Sequence, residues 1–215
     1  MNKCELLNLT IQRLCNSAAP LLPPEYQQVE YIQTATSSTT ITTGVTSISN
    51  NTSFEIEYML LSTAGDVVLG CRSTANAGIY LGTWSNGYFQ FGDGSHGDTI
   101  SSIPTQTKVK QKTNKNIIYR YDYSAGEYVL DKTITQSTFT ASRNMTVFSQ
   151  LTASNTYTGY KQGRLYSLKV WEGDALVCSL VPCYRISDNV AGVFNLVTQS
   201  FITAATGSFT PGNNV

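Results

Sequence analysis

The segment Phe54-Glu-Ile-Glu-Tyr-Met-Leu-Leu61 carries the clearest strand pattern in the chain, because its first five residues alternate between apolar and charged side chains. In an extended chain, successive side chains point to opposite faces, so Glu55 and Glu57 share the face that their apolar neighbours avoid. This period of two residues is typical of a strand buried on one face and solvated on the other. We therefore expect three of its residues in a hydrophobic core, namely Phe54, Ile56 and Tyr58.

Short segments rich in strand-forming residues follow along the chain, separated by turn signals such as Asn86-Gly87 and Glu172-Gly-Asp174. Many short strands, with no helical stretch between them, predict an all-β fold in the form of an antiparallel sandwich. Its core should also hold Leu165, Leu168, Val170 and Leu180. The predicted strands are Val67–Cys71, Ile79–Thr83, Tyr88–Phe91, Ile117–Tyr123, Glu127–Asp131, Met145–Gln150, Gly163–Trp171 and Leu176–Pro182.

The charge balance argues against binding to nucleic acid or to an anionic membrane. Among 215 residues, 14 Lys and Arg stand against 14 Asp and Glu, and charged residues make up only 13% of the chain. This balance leaves no electrostatic footprint for nucleic acid or for an anionic membrane. No window approaches the ~18 consecutive apolar residues of a membrane span, and charges interrupt the first twenty residues where a secretory signal would be apolar. We expect an extracellular or particle-borne domain with no nucleic-acid partner and no membrane insertion.

The N-terminal residues differ from the rest of the chain. Residues 1–17 carry apolar side chains at spacings of three and four, which predicts one stripe along a helix. Residues 18–25 hold three prolines and form the predicted linker to a domain over residues 26–215. A helix of about fifteen residues is marginal alone in water. The helix therefore either packs on its own domain or serves as an arm. As an arm, it would mediate self-association, with a trimer favoured, or docking on a larger assembly. The stripe consists of Cys4, Leu7, Ile11 and Leu14.

Five cysteines are present, and no two of them form a C-x-x-C pair. A structural zinc site usually takes closely spaced pairs of soft ligands, so zinc is not expected. Cys71 and Cys178 lie in apolar runs, which favours reduced, buried thiols that behave as small hydrophobic residues.

Two ends of the chain resemble a known family. Leu22-Pro-Pro-Glu-Tyr-Gln-Gln-Val-Glu-Tyr-Ile32 resembles the opening "L-P-x-x-Y-x-x-(L/V)-E-Y-I" of a domain found in gut bacteria and their tailed phages. Gly163-Arg-Leu-Tyr-Ser-Leu-Lys-Val-Trp171 is similar to that family's "G-(K/R)-I-Y-x-x-K-I-(Y/W)" strand, and Leu180-Val-Pro-Cys-Tyr-Arg185 to its "(F/L)-(I/V)-P-x-x-R". The resemblance covers about residues 21–211 in order. It implies a concanavalin A-like, laminin-G-like jelly roll.

The resemblance also sets the functional expectations. Relatives serve as carbohydrate-binding modules, adhesion domains and virion parts, and fold alone does not separate these roles. The first expectation is a structural component of a tailed-phage particle (head fibre, decoration or tail accessory), made in the host cytoplasm and exposed on the virion. Its N-terminal arm would contact other virion proteins. The alternative is a non-catalytic carbohydrate-binding module of a gut-bacterial surface protein. No cofactor is expected; Asn195 stands where many relatives carry Asp, which weakens the case for calcium.

Aromatic residues beside turns are the candidate binding equipment, because their faces stack on the apolar faces of sugar rings. Trp84 and Tyr88 flank one turn, whereas Tyr80, Phe89, Phe91 and Trp171 are expected in the core. A glycine-rich turn and a Thr-rich loop supply further polar and aromatic groups. The candidate glycan-binding residues are Trp84, Tyr88, Asp93, His96, Asp98, Tyr157 and Tyr160.

Glu55 and Glu57 are the candidate acid pair of a glycosidase, because they lie about 7 Å apart along one strand face. Hydrolysis needs two carboxyl groups at about 5.5 Å or at 6.5–9.5 Å. Jelly-roll hydrolases that use such a strand carry a run of three acids, whereas Ser53 and Met59 flank the pair here. His96 is the only histidine, so a Ser-His-Asp site would depend on it. We expect no enzyme and no catalytic residue.

Overall fold

The computed structural model describes residues 22–73, 77–93, 95–135 and 137–215. Helix in these ranges is confined to one turn, Trp84–Asn86. The predicted arm, with Cys4, Leu7, Ile11 and Leu14, lies outside the described residues. The strands are β1 (Tyr26–Gln28), β2 (Ile32–Thr34), β3 (Ile41–Thr42), β4 (Ile48–Ser49), β5 (Thr52–Leu60), β6 (Val67–Arg72), β7 (Gly78–Gly82), β8 (Tyr88–Gly92), β9 (Gly97–Thr99), β10 (Lys108–Asn114), β11 (Ile117–Asp122), β12 (Glu127–Thr133), β13 (Thr140–Ala141), β14 (Thr146–Val147), β15 (Gln150–Leu151), β16 (Tyr157–Thr158), β17 (Gly163–Glu172), β18 (Ala175–Arg185), β19 (Val190–Asn195), β20 (Ser200–Ile202) and β21 (Phe209–Pro211).

The larger of the two main sheets has eleven strands, and its main path runs β12-β11-β10-β5-β17-β18-β19-β20. Strand β2 joins β17 to β21, and β1 pairs with β18. The pairing is antiparallel throughout this sheet. Strand β5, which carries the alternating residues Phe54 to Tyr58, therefore lies between β10 and β17 in the interior of the sheet.

The smaller sheet has eight strands along the path β16-β15-β6-β7-β8-β9, with β14 and β3 attached beside β6. Its strands pair antiparallel except for β6 and β15, which run parallel. A separate ribbon pairs β4 with β13. No helix in the described ranges is long and apolar enough to cross a membrane.

The two sheets share one hydrophobic core, as the two layers of a sandwich do. Phe54 of the large sheet meets Phe89 of the small sheet edge to face, with their ring centroids 6.2 Å apart. All seven residues predicted for the core are buried, and Glu55 and Glu57 lie on the opposite face, so the predicted register is confirmed. The buried seven are Phe54, Ile56, Tyr58, Leu165, Leu168, Val170 and Leu180.

Two predictions about strands and core are corrected. The predicted strand Met145–Gln150 is divided into β14 and β15, because Phe148 adopts a positive φ of 62° between them. Trp171 is half-buried rather than in the core, since the preceding Val170 takes the inward position on β17.

Strand β10 was missed in the sequence because its inward face is partly polar. Gln111 and Thr113 are buried there, and the alternation with lysines does not read as hydrophobic. Both find partners inside: the Tyr58 hydroxyl donates to Gln111 Oε1 at 2.7 Å, and the Phe54 N–H donates to Thr113 Oγ1 at 3.0 Å. Buried polar groups are tolerated where they are hydrogen-bonded. The Gln111 oxygen and the Thr113 hydroxyl meet this condition, whereas Gln111 Nε2 has no hydrogen-bond partner among the described residues.

The three described cysteines are free and buried, which confirms the prediction for Cys71 and Cys178. Burial raises the pKa of Cys71, Cys178 and Cys183 to about 12. Because the thiolate is the reactive form, these thiols are inert at neutral pH and serve as packing groups.

Candidate binding groove on the small sheet

The turn that displays Trp84 connects β7 to β8. Ser85 and Asn86 both adopt positive φ angles, 52° and 73°. Backbone hydrogen bonds hold the turn: Asn86 N–H donates to the Thr83 carbonyl at 2.9 Å, and Ile103 N–H donates to the Asn86 carbonyl at 2.9 Å. The turn thus fixes the backbone beneath Trp84 while leaving the indole 60% exposed.

Three aromatic side chains form a cluster on the outer face of the small sheet. The ring centroids of Trp84 and Tyr88 lie 4.8 Å apart, and those of Tyr80 and Tyr88 lie 6.1 Å apart. Tyr88 points outward because Phe89, the next residue of β8, points into the core. The cluster gives this face a rigid aromatic surface beside an exposed indole.

The prediction that Tyr80 lies in the core is wrong. Its neighbours Ile79 and Leu81 occupy the inward positions of β7, so Tyr80 takes the outer position between them. Its hydroxyl donates to the Asp66 carbonyl at 3.1 Å. Burial raises the pKa of Tyr80 and of Tyr88, with the charge of Asp66 or Asp98 adding to it. Both phenols therefore stay neutral and keep a hydroxyl hydrogen at physiological pH.

The aromatic cluster forms one wall of a groove of about 490 Å³. Polar and charged side chains line most of the rest, together with Val67 and Gly159. These polar and charged residues are Gln90, Gln150, Arg72, Asp66 and Thr158. Binding sites for small polar ligands combine apolar or aromatic walls with a few placed polar groups. This groove has that combination.

A buried lysine holds the loops around the groove in place. Lys161 is only 1% exposed, and its ammonium donates to the Thr63 carbonyl at 3.1 Å, the Gly65 carbonyl at 2.8 Å and Thr83 Oγ1 at 3.0 Å. Desolvation lowers its pKa. Because Thr83 directly precedes Trp84, the lysine ties the Trp84 turn to the 63–66 loop. Sequence reasoning missed it, since a lysine between polar loop residues gives no sign of burial.

The predicted loop residues Asp93 and His96 pair with each other. Their Oδ1 and Nδ1 atoms lie 2.6 Å apart, and Ser95 donates to the same carboxylate through its N–H at 2.9 Å and its hydroxyl at 2.6 Å. These hydrogen bonds, led by that of the Ser95 hydroxyl, lower the pKa of Asp93 to about 2. Neither residue lines the groove, and their polar atoms are used within the turn.

Asp98 and the two loop tyrosines also lie outside the groove lining. Asp98, on the edge strand β9, forms an ion pair with Lys132 of the large sheet, with Oδ2 and Nζ 2.7 Å apart. The hydrogen bond from Lys132 lowers the pKa of Asp98. Tyr157 and Tyr160 are half-buried on either side of Thr158 and Gly159, which do reach the groove. Of the seven predicted residues, the groove therefore brings together Trp84 and Tyr88. The described part of the chain contains no cluster of three potential metal ligands.

The two glutamates of the candidate hydrolytic pair form ion pairs on the outer face of the large sheet. Glu57 lies 3.3 Å from Lys108 Nζ and accepts a 2.9 Å hydrogen bond from the Tyr123 hydroxyl. Glu55 lies 3.3 Å from Lys110 Nζ. These contacts account for both carboxylates as part of a charged, solvent-facing surface.

Comparison with known proteins adds no assignment: no family model matches the chain, and no curated protein matches it significantly. Its function is therefore inferred from the geometry of its surface and from the resemblance at its two ends.

Proposed function

We propose that this chain is a structural component of a tailed-phage particle (head fibre, decoration or tail accessory protein) that displays a non-catalytic, glycan-binding jelly roll. The observation that carries the binding role is the exposed indole of Trp84, fixed against Tyr88 at the edge of a polar groove. An exposed tryptophan leaves a large apolar area in water, and a ligand that covers it regains that free energy.

The chemistry of the groove favours a sugar as the ligand. Sugar rings present an apolar face that stacks on aromatic side chains and a rim of hydroxyls that exchange hydrogen bonds with amides. Trp84 and Tyr88 supply the first surface, and Gln90 and Gln150 supply amides beside it. A purely apolar ligand would remove water from these polar side chains without offering them hydrogen bonds in exchange, which costs free energy.

The particle role is supported by the sequence resemblance of residues 21–211 and by the amphipathic stripe of residues 1–17. In this proposal the stripe joins equivalent arms in a trimer or docks on another virion protein, and the domain faces outward. The second candidate, a carbohydrate-binding module on a bacterial surface, shares the groove and differs in its anchor.

The binding role is tested with a glycan array followed by calorimetry on the best ligand. Trp84→Ala removes the stacking surface and should weaken binding by roughly 10- to 100-fold, about 1–3 kcal/mol, without unfolding the domain. Tyr123→Ala is the matched control, because Tyr123 is also about half-exposed but lies on the large sheet. Equal affinity of the wild type and Trp84→Ala, or equal loss in both variants, would overturn the assignment of the site.

The particle role is tested separately by deleting residues 1–20. The domain should stay folded, because its described part holds its own core, while trimer formation or incorporation into particles should be lost. Size-exclusion light scattering and proteomics of purified particles provide the two readouts. A truncated protein that assembles as before would refute the docking arm, and particles lacking the full-length protein would favour the bacterial alternative.

A further inference from the structure

The groove beside Trp84 continues into a second depression. That depression has a volume of about 420 Å³ and is lined by the Thr-rich loop, including Thr152, Ser154 and Thr156. Arg72 and Thr158 line both spaces, so the two meet there. The result is one channel with the aromatic cluster at one end and hydroxyl groups at the other.

This channel crosses the strands of the small sheet rather than following one of them. Five neighbouring strands, in the order β8, β7, β6, β15 and β16, each contribute a lining residue. Adjacent strands lie about 4.8 Å apart, so four gaps give a length of about 19 Å. A single sugar ring fills only part of that length, whereas a short linear chain spans it. The five residues are Tyr88, Tyr80, Arg72, Gln150 and Thr158.

The far wall of the channel is held in place before any ligand arrives. Arg143 donates to Asn155 Oδ1 at 2.5 Å and to the Ala153 carbonyl at 2.6 Å, and Thr152 N–H donates to the Thr156 carbonyl at 3.0 Å. A preorganised wall costs less ordering entropy on binding than a loop that must fold around the ligand. This half of the channel is therefore suited to hold a ligand.

The charges along the channel balance. The acidic and basic residues among the described lining are Asp66 and Arg72, which carry opposite charges. The remaining polar groups are amides, phenols and aliphatic hydroxyls, which pair with sugar hydroxyls without a charge requirement. A polyanionic glycan would need an excess of cations here, and the described lining residues do not supply one.

Resting on the proposed glycan-binding function, we infer that the channel binds a linear, neutral polysaccharide laid across the strands, with one sugar stacked on Trp84. The ligand class is thus a neutral polymer rather than a terminal sugar of a branched glycan.

The test measures affinity by calorimetry for ladders of one to six sugars. The probes are β-1,4-linked glucose, xylose and mannose oligosaccharides, with an alginate ladder as the anionic comparison. Affinity for at least one neutral ladder should rise about tenfold or more between two and four sugars and then level off. A flat profile, saturation at one or two sugars, or preference for alginate would overturn the inference while leaving glycan binding in place.

Two variants locate the gain in affinity. Thr156→Arg places a bulky side chain in the second depression, outside the lining of the Trp84 groove, and should remove the gain beyond two sugars while short ligands bind as before. Thr133→Arg is the matched control, an exposed strand threonine on the large sheet. Equal loss for short and long ligands in Thr156→Arg, or a full gain retained, contradicts the channel. No binding by any neutral ladder together with a negative glycan array would instead reject the proposed function itself.

Discussion

The outer faces of the two sheets use aromatic and charged residues in opposite ways. On the large sheet, cations cover the aromatic rings: Lys108 Nζ lies 4.3 Å from the Tyr166 ring centroid, and Lys112 Nζ lies 4.0 Å from that of Tyr128. On the small sheet, Trp84 meets another ring on one side and solvent on the other. Both faces are rich in tyrosine, so composition does not distinguish them.

The difference lies in which groups already have partners. The glutamates of β5 pair with lysines of β10, and the Tyr123 hydroxyl donates to Glu57. Burial and these carboxylates raise the pKa of Tyr123 and of Tyr128, so the phenols remain neutral. A ligand would have to displace these contacts to bind the large-sheet face. The small-sheet groove offers an exposed indole that needs no such exchange.

The largest effect is expected at the core that both faces share. Phe54→Ala should lower the free energy of unfolding by about 3–5 kcal/mol, because the ring is fully buried and contacts Phe89 across the two sheets. Urea denaturation monitors the change, and glycan binding should fall with the folded fraction. A loss below about 1 kcal/mol would mean that the sheets do not depend on this contact.

Lys161→Met should affect the small-sheet face selectively. The substitution leaves two carbonyls and the Thr83 hydroxyl without their buried donor, which should lower the free energy of unfolding by about 2–4 kcal/mol and weaken glycan binding. Lys132→Met is the control, because its ion pair with Asp98 is exposed on both sides. If the control loses as much stability, the three buried hydrogen bonds are not the cause.

Glu57→Gln should affect the large-sheet face alone. It removes the charge facing Lys108 in a partly exposed pair, so the free energy of unfolding should change by less than about 1 kcal/mol and glycan affinity should not change. We also expect no glycan turnover by the wild type. Hydrolysis of any glucan by the wild type that Glu57→Gln abolishes would instead make this face an active site.

The smallest effect is expected at the Asp93 turn, outside both faces. The folded pKa of about 2 lies below the ordinary 3.8, so the unfolded chain binds the proton more tightly and stability falls as pH drops from about 4 to 2. Ser95→Ala removes a hydroxyl hydrogen bond to the carboxylate and should raise the pKa of Asp93 toward its ordinary value. An NMR pH titration of the carboxyl carbon gives both midpoints; an unchanged midpoint would contradict the assigned cause.

The sequence was most informative where one physical rule acted alone. Strict alternation in β5 predicted the inward side chains of Phe54, Ile56 and Tyr58. It failed at Tyr80, because an aromatic residue is compatible with either face of a strand and its neighbours decide which. It also failed at β10, where buried Gln111 depends on a hydroxyl from another strand.

The groove was only partly predictable for a similar reason. Trp84 and Tyr88 lie four residues apart around a recognisable turn, so local sequence predicts their proximity. Gln150 and Thr158 reach the same groove through the pairing of β15 with β6, a parallel contact between distant segments. Lys161 acts through three partners at least 78 residues away in sequence. Such long-range contacts leave no local pattern.

The fluorescence of Trp84 gives the most direct test of a binding site on the small-sheet face. The chain has two tryptophans, so Trp171→Phe, a conservative change at a half-buried position, leaves Trp84 as the sole reporter. Acrylamide quenching of this variant is measured with and without a saturating neutral oligosaccharide, whose binding is established by calorimetry. On binding, we expect a blue-shifted emission and strong protection of Trp84 from quenching. Unchanged quenching with the glycan bound would place the site away from Trp84 and contradict the assignment of the small-sheet face.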